Sequence, residues 1–381
     1  MRIVLAPDSF KESLTALQAV EAMAAGVSRV LPDADLVRVP MADGGEGTVQ
    51  SLVDATGGRL VARRVRGPLG EPVDARFGIL GDGVTAAIEM AEASGLQLVA
   101  PEQRDPMVTT TYGTGELLRA ALDEGAQRII IGIGGSATVD GGAGLAAALG
   151  YRLLRQDGTP IAPGGSGLAG LDRIDAAEAD PRLQDADIRI ASDVENPLTG
   201  PTGSAAVFGP QKGATPAMVA VLDENLDRFS QIVVRDLGRD VRDVPGAGAA
   251  GGLGAGLLAF TRAAMHRGFD LVADLTGLAD ACRGADVVLT GEGRVDAQTQ
   301  YGKTPLGVAR LAKQVSPRAV VIALAGQVGP GADALYGLGI DAIFGVLPGA
   351  SDLAAALRDG AENLERCSEN VARLLLRARR A

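Results

Sequence analysis

Short apolar runs that end in glycine- or acid-rich turns alternate with longer amphipathic stretches along most of this chain. Such alternation is the signature of parallel α/β units. Residues 2–6 read as a first strand, 14–30 as a helix entered through Ser13, and 36–39 as a second strand. The second strand opens into Pro40-Met41-Ala42-Asp43-Gly44-Gly45-Glu46-Gly47, and a helix over 48–55 follows. The rhythm then changes. Segments 59–66, 72–80 and 84–90 are short, alternate in polarity and are split by Gly-Pro and Gly-Asp-Gly turns, which predicts antiparallel strands. A helix over 116–124, a strand over 128–133, a strand over 188–192 and a glycine-rich helix over 253–265 come next. From residue 286 the first rhythm returns, with strands at 286–290, 319–325 and 342–346 and helices at 305–314 and 353–376.

The expected fold class is therefore α/β. A Rossmann-like parallel-sheet domain is built from both termini (1–69 and 271–381), and a second α/β domain is inserted (70–270). The active-site cleft is expected between them, at the carboxyl ends of the strands.

Composition narrows the function. With 46% hydrophobic and 22% charged residues, the 381-residue chain can bury a substantial core. A net charge of −11 argues against a nucleic-acid or anionic-membrane surface, and 3% aromatics with no Trp argue against base stacking. The first residues read as a strand rather than a signal peptide, and no apolar span reaches the roughly 20 residues of a membrane helix; a cytoplasmic protein is expected. Cys282 and Cys367 have no metal-ligand spacing. His266 is the sole histidine and reads as a cation at a helix end with Gly268 as its C′ residue. Acid–base work therefore falls to carboxylates.

Only four of the 36 basic residues are lysines, and three of these, Lys11, Lys212 and Lys303, sit in turns rich in Gly, Ser or Pro. A compact ammonium among free backbone N–H groups suits a phosphate. Lys313 falls in a helical pattern and reads as solvated. Strand 128–133 runs into Gly134-Gly135-Ser136-Ala137-Thr138-Val139-Asp140-Gly141-Gly142, the strand–turn–helix pattern of an anion cradle. Two dinucleotide-like glycine patterns, at 132–137 and 246–251, are weak in a chain with 53 glycines. The Walker pattern fails because Ala297 stands where its leading glycine belongs, so Thr304-Pro305 reads instead as N-cap and N1.

Seven carboxylates follow strand ends: Asp8, Asp43, Glu46, Asp140, Asp193, Glu292 and Asp296. Two or three of them are expected to be turn formers or caps. Oxygen ligands without imidazole suit Mg²⁺, and lysines, glycine cradles and carboxylates together describe phosphoryl transfer.

The blocks 6–11, 41–47, 113–117, 134–142, 193–198, 208–213, 246–252 and 290–294, in this order, resemble the class I glycerate kinase family over nearly the whole chain. Glu12, where glycine is common, and Val139, where asparagine is common, are small departures. The resemblance implies ATP- and Mg²⁺-dependent phosphorylation of D-glycerate, with 2-phosphoglycerate favoured over 3-phosphoglycerate. It implies no nucleic-acid or membrane partner and allows a homo-oligomer.

The residues themselves suggest the roles. Lys11, Lys212 and Lys303 contact phosphates, with Gly134, Gly135, Gln211 and Thr304 beside them. Asp193 orients the hydroxyl, with Asp296 as second choice, and Arg294 holds the carboxylate. Asp8, Ser9, Ser136, Asp140 and Asn196 bind substrate, and Asp43, Glu46 and Glu292 hold the metal or its water shell. Lys212→Ala is expected to spare the fold and remove several kcal/mol of transition-state stabilisation. The alternatives are an NAD-dependent dehydrogenase of a small hydroxy acid and a non-catalytic sugar-acid binding protein.

Overall fold

The computed structural model describes residues 1–378; residues 379–381, the end of the expected terminal domain, lie outside the described residues. The strands in chain order are β1 (Arg2–Pro7), β2 (Asp35–Arg38), β3 (Arg59–Arg66), β4 (Pro72–Ile79), β5 (Thr85–Glu89), β6 (Arg128–Gly132) and β7 (Arg152–Leu154). They continue as β8 (Arg173–Asp175), β9 (Asp187–Ala191), β10 (Ala264–His266), β11 (Val287–Val295), β12 (Val320–Val328) and β13 (Ala342–Gly345). Two compact α/β units contain them. One comprises Met1–Asp43, Gln50–Gly57 and the chain from Phe269 onward, the other Gly44–Val49 and Gly58–Gly268.

The first unit holds a five-stranded sheet in the order β13-β12-β11-β1-β2, parallel throughout. Ile3, Leu5, Val287, Leu289 and Leu324 are buried against the helices Ala16–Ser28 and Gly360–Ala378, which is why these strands read as continuous apolar runs. Gly26 lets those two helices touch: a Cβ there would collide with the Glu365 carbonyl. The first helix starts later than expected. Thr15, not Ser13, caps it, exchanging bonds with Gln18 in a capping box, while Ser13 Oγ donates to the Leu357 carbonyl. The expected helix 353–376 is two, Leu353–Arg358 and Gly360–Ala378.

The second unit carries a six-stranded mixed sheet, β10-β9-β6-β5-β4-β3, and a small hairpin of β7 and β8. β3, β4 and β5 are antiparallel; β5, β6, β9 and β10 run parallel. β3 pairs with β4 from Arg59–Ile79 to Arg66–Pro72, so the boundary expected at residue 69/70 would cut a hairpin; the main segment of this unit runs from Gly58 to Gly268, with Gly44–Val49 added to it. Phe77, Ile88, Ile129, Ile131, Leu145 and Ile190 form its core with Phe229 and Phe260.

Two expectations about local structure are corrected. The block 291–295, read as a turn, continues β11, because β12 runs on to Val328 and supplies partners for Glu292 and Arg294. The glycine-rich helix spans Ala249–Phe260 with left-handed residues at 250–252, and 264–266 is the edge strand β10. His266 thus lies in a strand, its carbonyl accepting from Ser192 N, and is no helix-terminal cation. No helix of the described residues is long and apolar enough to cross a membrane.

Candidate active site

In the first unit the parallel sheet aligns strand ends. Asp8, directly after β1, donates its backbone N–H to Gly291 O at 2.9 Å, and Met41 N donates to Pro7 O at 3.0 Å, leading the chain to Asp43. Glu292 follows Gly291 on β11. The helix Thr304–Val315 presents its N-terminus here, and Thr304 Oγ1 donates to Asp8 Oδ2 at 2.6 Å while Ser9 N donates to Asp8 Oδ1 at 2.6 Å. Thr304 is the first helical residue rather than the cap; Lys303 holds the cap position.

Burial, reinforced by the Asp43 charge, pushes the Asp8 carboxyl up to about 6. Burial likewise pushes Glu292 up to about 7, against the opposing pull of Lys303, 3.6 Å away, and of the Thr299 hydroxyl that donates to it at 3.0 Å. Both carboxyls are thus raised in a region where the nearby acids outnumber the one lysine. A cation would relieve that imbalance. Among the described residues no group of three or more His, Cys, Asp or Glu is arranged to hold a metal ion. Magnesium does not require one: one or two carboxylates plus substrate phosphates suffice. Asp8 or Glu292, each a raised carboxyl near further acids, would meet that demand together with substrate phosphates.

Asp296 and Arg294 are otherwise engaged. Asp296 caps the 3-10 turn Ala297–Tyr301, accepting from Gln298 N at 2.9 Å and from Arg294 Nε at 2.8 Å. Those bonds, the Gln298 N–H foremost, hold its carboxyl below the usual range. It is one of the caps expected among the seven carboxylates, and its second-choice role with the hydroxyl is not supported by this geometry. Lys11 is exposed in the turn after β1, beside Glu12 at φ 62°, a left-handed conformation that costs a non-glycine residue energy. That explains why glycine suits the position. Lys313 is not merely solvated: its Nζ donates to Ala319 O at 2.7 Å and to Asp341 at 2.6 Å.

The second unit builds a different kind of cluster. After β6 the chain turns through Gly134, where a Cβ would meet nothing within 4 Å, and Gly135 at φ +74°, then through Ser136 to Asp140. The helix Ala143–Ala148 follows, but its N–H groups already have an anion. Asp140, fully buried, accepts from Gly142 N at 3.1 Å, Gly144 N at 3.2 Å, Thr111 N at 2.8 Å and Thr111 Oγ1 at 2.9 Å. The cradle expected for a ligand is filled by the protein's own carboxylate, which leaves Asp140 no free oxygen for substrate. Burial raises its pKa against those bonds.

Lys212 is 1% exposed, with Nζ donating to Ser136 Oγ at 2.6 Å and to Thr138 O at 2.7 Å. Burial drives it down to about 7, the Asp140 charge opposing. An ammonium so enclosed shows no face to solvent where a phosphate could meet it, and truncating it would leave the Ser136 hydroxyl and the Thr138 carbonyl without this donor.

The remaining positions scatter. Asp193 is exposed and pairs with Arg267 at 3.8 Å, Asn196 Nδ2 donates to Thr202 O at 2.8 Å, and Gln211 is exposed. Glu46 is exposed beside the turn that Thr48 Oγ1 closes on Gly45 O.

With these positions fixed, the chain can be set beside known proteins. Residues 3–376 match the Glycerate kinase family. The chain belongs to the glycerate kinase family. "Glycerate kinase" of Bacillus subtilis is 54% identical over 98% of this chain and 97% of its own length. "Glycerate 2-kinase" of Escherichia coli is 49% identical over 98% of each. A crystal structure assigned to glycerate kinase 2 of Salmonella typhimurium LT2 superposes with a TM-score of 0.93 at 50% identity, covering 100% of both chains. Membership of the glycerate kinase family displaces the dehydrogenase and the non-catalytic binding protein.

Within this glycerate kinase fold, two residues escaped the sequence reading. Glu89, at the end of β5, accepts from Val49 N at 2.9 Å and ties down the acidic turn before it; burial raises its pKa. A carboxylate closing an apolar strand was the signal that marked Asp8, and it applied here too. Thr111 supplies two of the bonds to Asp140, and only its place in a run of three threonines set it apart.

Proposed function

We propose that the protein transfers the γ-phosphoryl group of ATP to a hydroxyl of D-glycerate, the 2-hydroxyl in preference to the 3-hydroxyl. The observation that carries this reading is the strand-end cluster of the first unit. There, buried Asp8 and half-buried Glu292, with Asp43, adjoin Lys303 at the N-terminus of a twelve-residue helix. The names of the relatives support the substrate, and that of the Escherichia coli relative supports position 2.

One or two of Asp8, Asp43 and Glu292 would hold Mg²⁺, which supplies charge neutralisation at the nucleotide phosphates when bound. Lys303 and the open helix N-terminus add positive potential for the same phosphates. Asp8 orients Thr304 and the Ser9 backbone through its two short bonds, fixing the turn that displays Lys11. Lys11 is assigned to phosphate, Ser9 to substrate, and Arg294 to the glycerate carboxylate after exchange from Asp296. Asp193 is assigned to orient the attacking hydroxyl, for which its exposed position suits it.

The test is ADP release measured with ATP, Mg²⁺ and D-glycerate, with phosphorus NMR of the product. Glycerate-dependent ADP release with a phosphorus signal split by the lone C2 proton is the expected result. A signal split by the C3 methylene would move the assignment to 3-phosphoglycerate, and no release with folded protein would overturn the substrate.

A further inference from the structure

Lys212 is the one lysine withdrawn from solvent, yet it sits where a phosphate-binding charge was expected. Its ammonium is spent inward, on Ser136 Oγ at 2.6 Å and the Thr138 carbonyl at 2.7 Å. In its charged form Lys212 only donates, so Ser136 Oγ accepts in that bond. The hydroxyl proton of Ser136 is thereby left for another acceptor, and polarisation along the chain of bonds strengthens it as a donor. No protein acceptor of that proton is present among the described hydrogen bonds of Ser136, whose only side-chain partner is Lys212. Ser136 lies in the loop after β6, two residues beyond Gly134, where the absence of any atom within 4 Å of a Cβ leaves open space beside the backbone. Asp140, bound four times over by Thr111, Gly142 and Gly144, balances the Lys212 charge without touching it.

We propose that Lys212 is a positioning residue that acts through Ser136, holding the serine hydroxyl as a donor to an oxyanion of the substrate, either the carboxylate of the hydroxy acid or the phosphoryl group in transfer. The proposal deepens the kinase reading and rests on it for the identity of the substrate, but the geometry behind it is independent of that identity. It replaces direct contact between Lys212 and phosphate with contact one atom removed. The same logic makes Ser136, not Lys212, the residue that meets the ligand.

The experiment compares Ser136→Ala, Ser136→Thr, Lys212→Met and the Ser136→Ala/Lys212→Met double variant with wild type, each checked for folding by circular dichroism. Ser136→Ala should lower kcat/KM about 10- to 100-fold, a loss typical of one oxyanion donor or somewhat smaller. Ser136→Thr, which keeps the hydroxyl, should recover most of it. The double variant should be no worse than Lys212→Met within about threefold, because both changes break one relay. A fall confined to kcat assigns the oxyanion to the phosphoryl group, and a rise confined to KM assigns it to the carboxylate.

Wild-type turnover in Ser136→Ala would overturn the proposal, and this variant is decisive even if Lys212→Met fails to fold. If wild type itself shows no turnover with D-glycerate, the kinase reading fails separately. Titration with inorganic phosphate, a turnover-independent oxyanion probe, then decides. Weaker binding by Ser136→Ala than by wild type and Ser136→Thr supports the relay, and equal binding by all three rejects it.

Discussion

The strand-end cluster of the first unit and the Lys212 cluster of the second both bring charge together beside loops that follow parallel strands, yet they are built oppositely. The first is half-buried at Asp43, Glu292 and Lys303, and the second is enclosed. Asp140 and Lys212 are held by protein partners: four bonds engage the carboxylate and two of the three ammonium donors are used. Asp8 and Glu292 have fewer donors and more acidic neighbours; burial pushes the charged groups of both clusters towards neutrality, so the difference lies in their partners. The protein itself meets most of the hydrogen-bonding capacity of the second cluster, whereas the first gathers carboxylates around fewer donors. The difference separates two groups of residues that share one sequence signature.

The comparison breaks most visibly at Lys212. Lys212→Ala leaves the Thr138 carbonyl without its donor and Asp140 without its balancing charge, and opens a cavity; the expected loss is about 3–5 kcal/mol of stability. Urea unfolding measures it. A loss below about 1 kcal/mol would mean the cluster is not scaffolding.

Asp8→Asn should do the reverse. An acid whose folded pKa is raised holds a proton that the unfolded chain has released, so it lowers stability as pH climbs from 3.8 through about 6 and costs most above that. The amide removes this cost, and the Thr304 hydroxyl can turn to accept from it. In protein stripped of divalent cations, the melting temperature of Asp8→Asn should exceed that of wild type at pH 8, by up to about 3 kcal/mol in stability. At pH 4 the two should coincide. Smallest is Asp296→Ala, which loses a cap worth about 1 kcal/mol and, if the cap is its whole role, leaves kcat within about threefold.

Much of the fold was legible from pattern alone. β1, β6, β11 and β12 carry apolar runs covered on both faces, and short runs of Ile, Val and Leu announce that burial directly. The failures were decided by partners far along the chain. Gly291-Glu292-Gly293-Arg294 looks like a turn, and becomes strand only because β12 extends beside it. His266 looked helical because the alanine- and glycine-rich segment before it is helical; Thr261 ends that helix, and β9 captures residues 264–266 as an edge strand.

The site divides the same way. That Asp8, Asp43 and Glu292 gather was legible because strand ends in a parallel sheet converge wherever they lie in sequence, and Lys303 joins them from the N-cap of the helix Thr304–Val315. The burial of Lys212 was not, because its surroundings come from residues 136–140, more than seventy positions away, and nothing in Pro210-Gln211-Lys212-Gly213 encodes them. Glu89 was legible and overlooked, a lone carboxylate at the end of a strand that carries no glycine signal.

One measurement bears on the central claim most directly: the rate of D-glycerate-dependent ADP release by wild type and Asp8→Asn, side by side with ATP and Mg²⁺ at pH 8. The account predicts a folded variant, at least as heat-stable as wild type, whose kcat/KM has fallen at least about 100-fold. A variant that turns over within about threefold of wild type would show that the strand-end cluster is not the site of the chemistry.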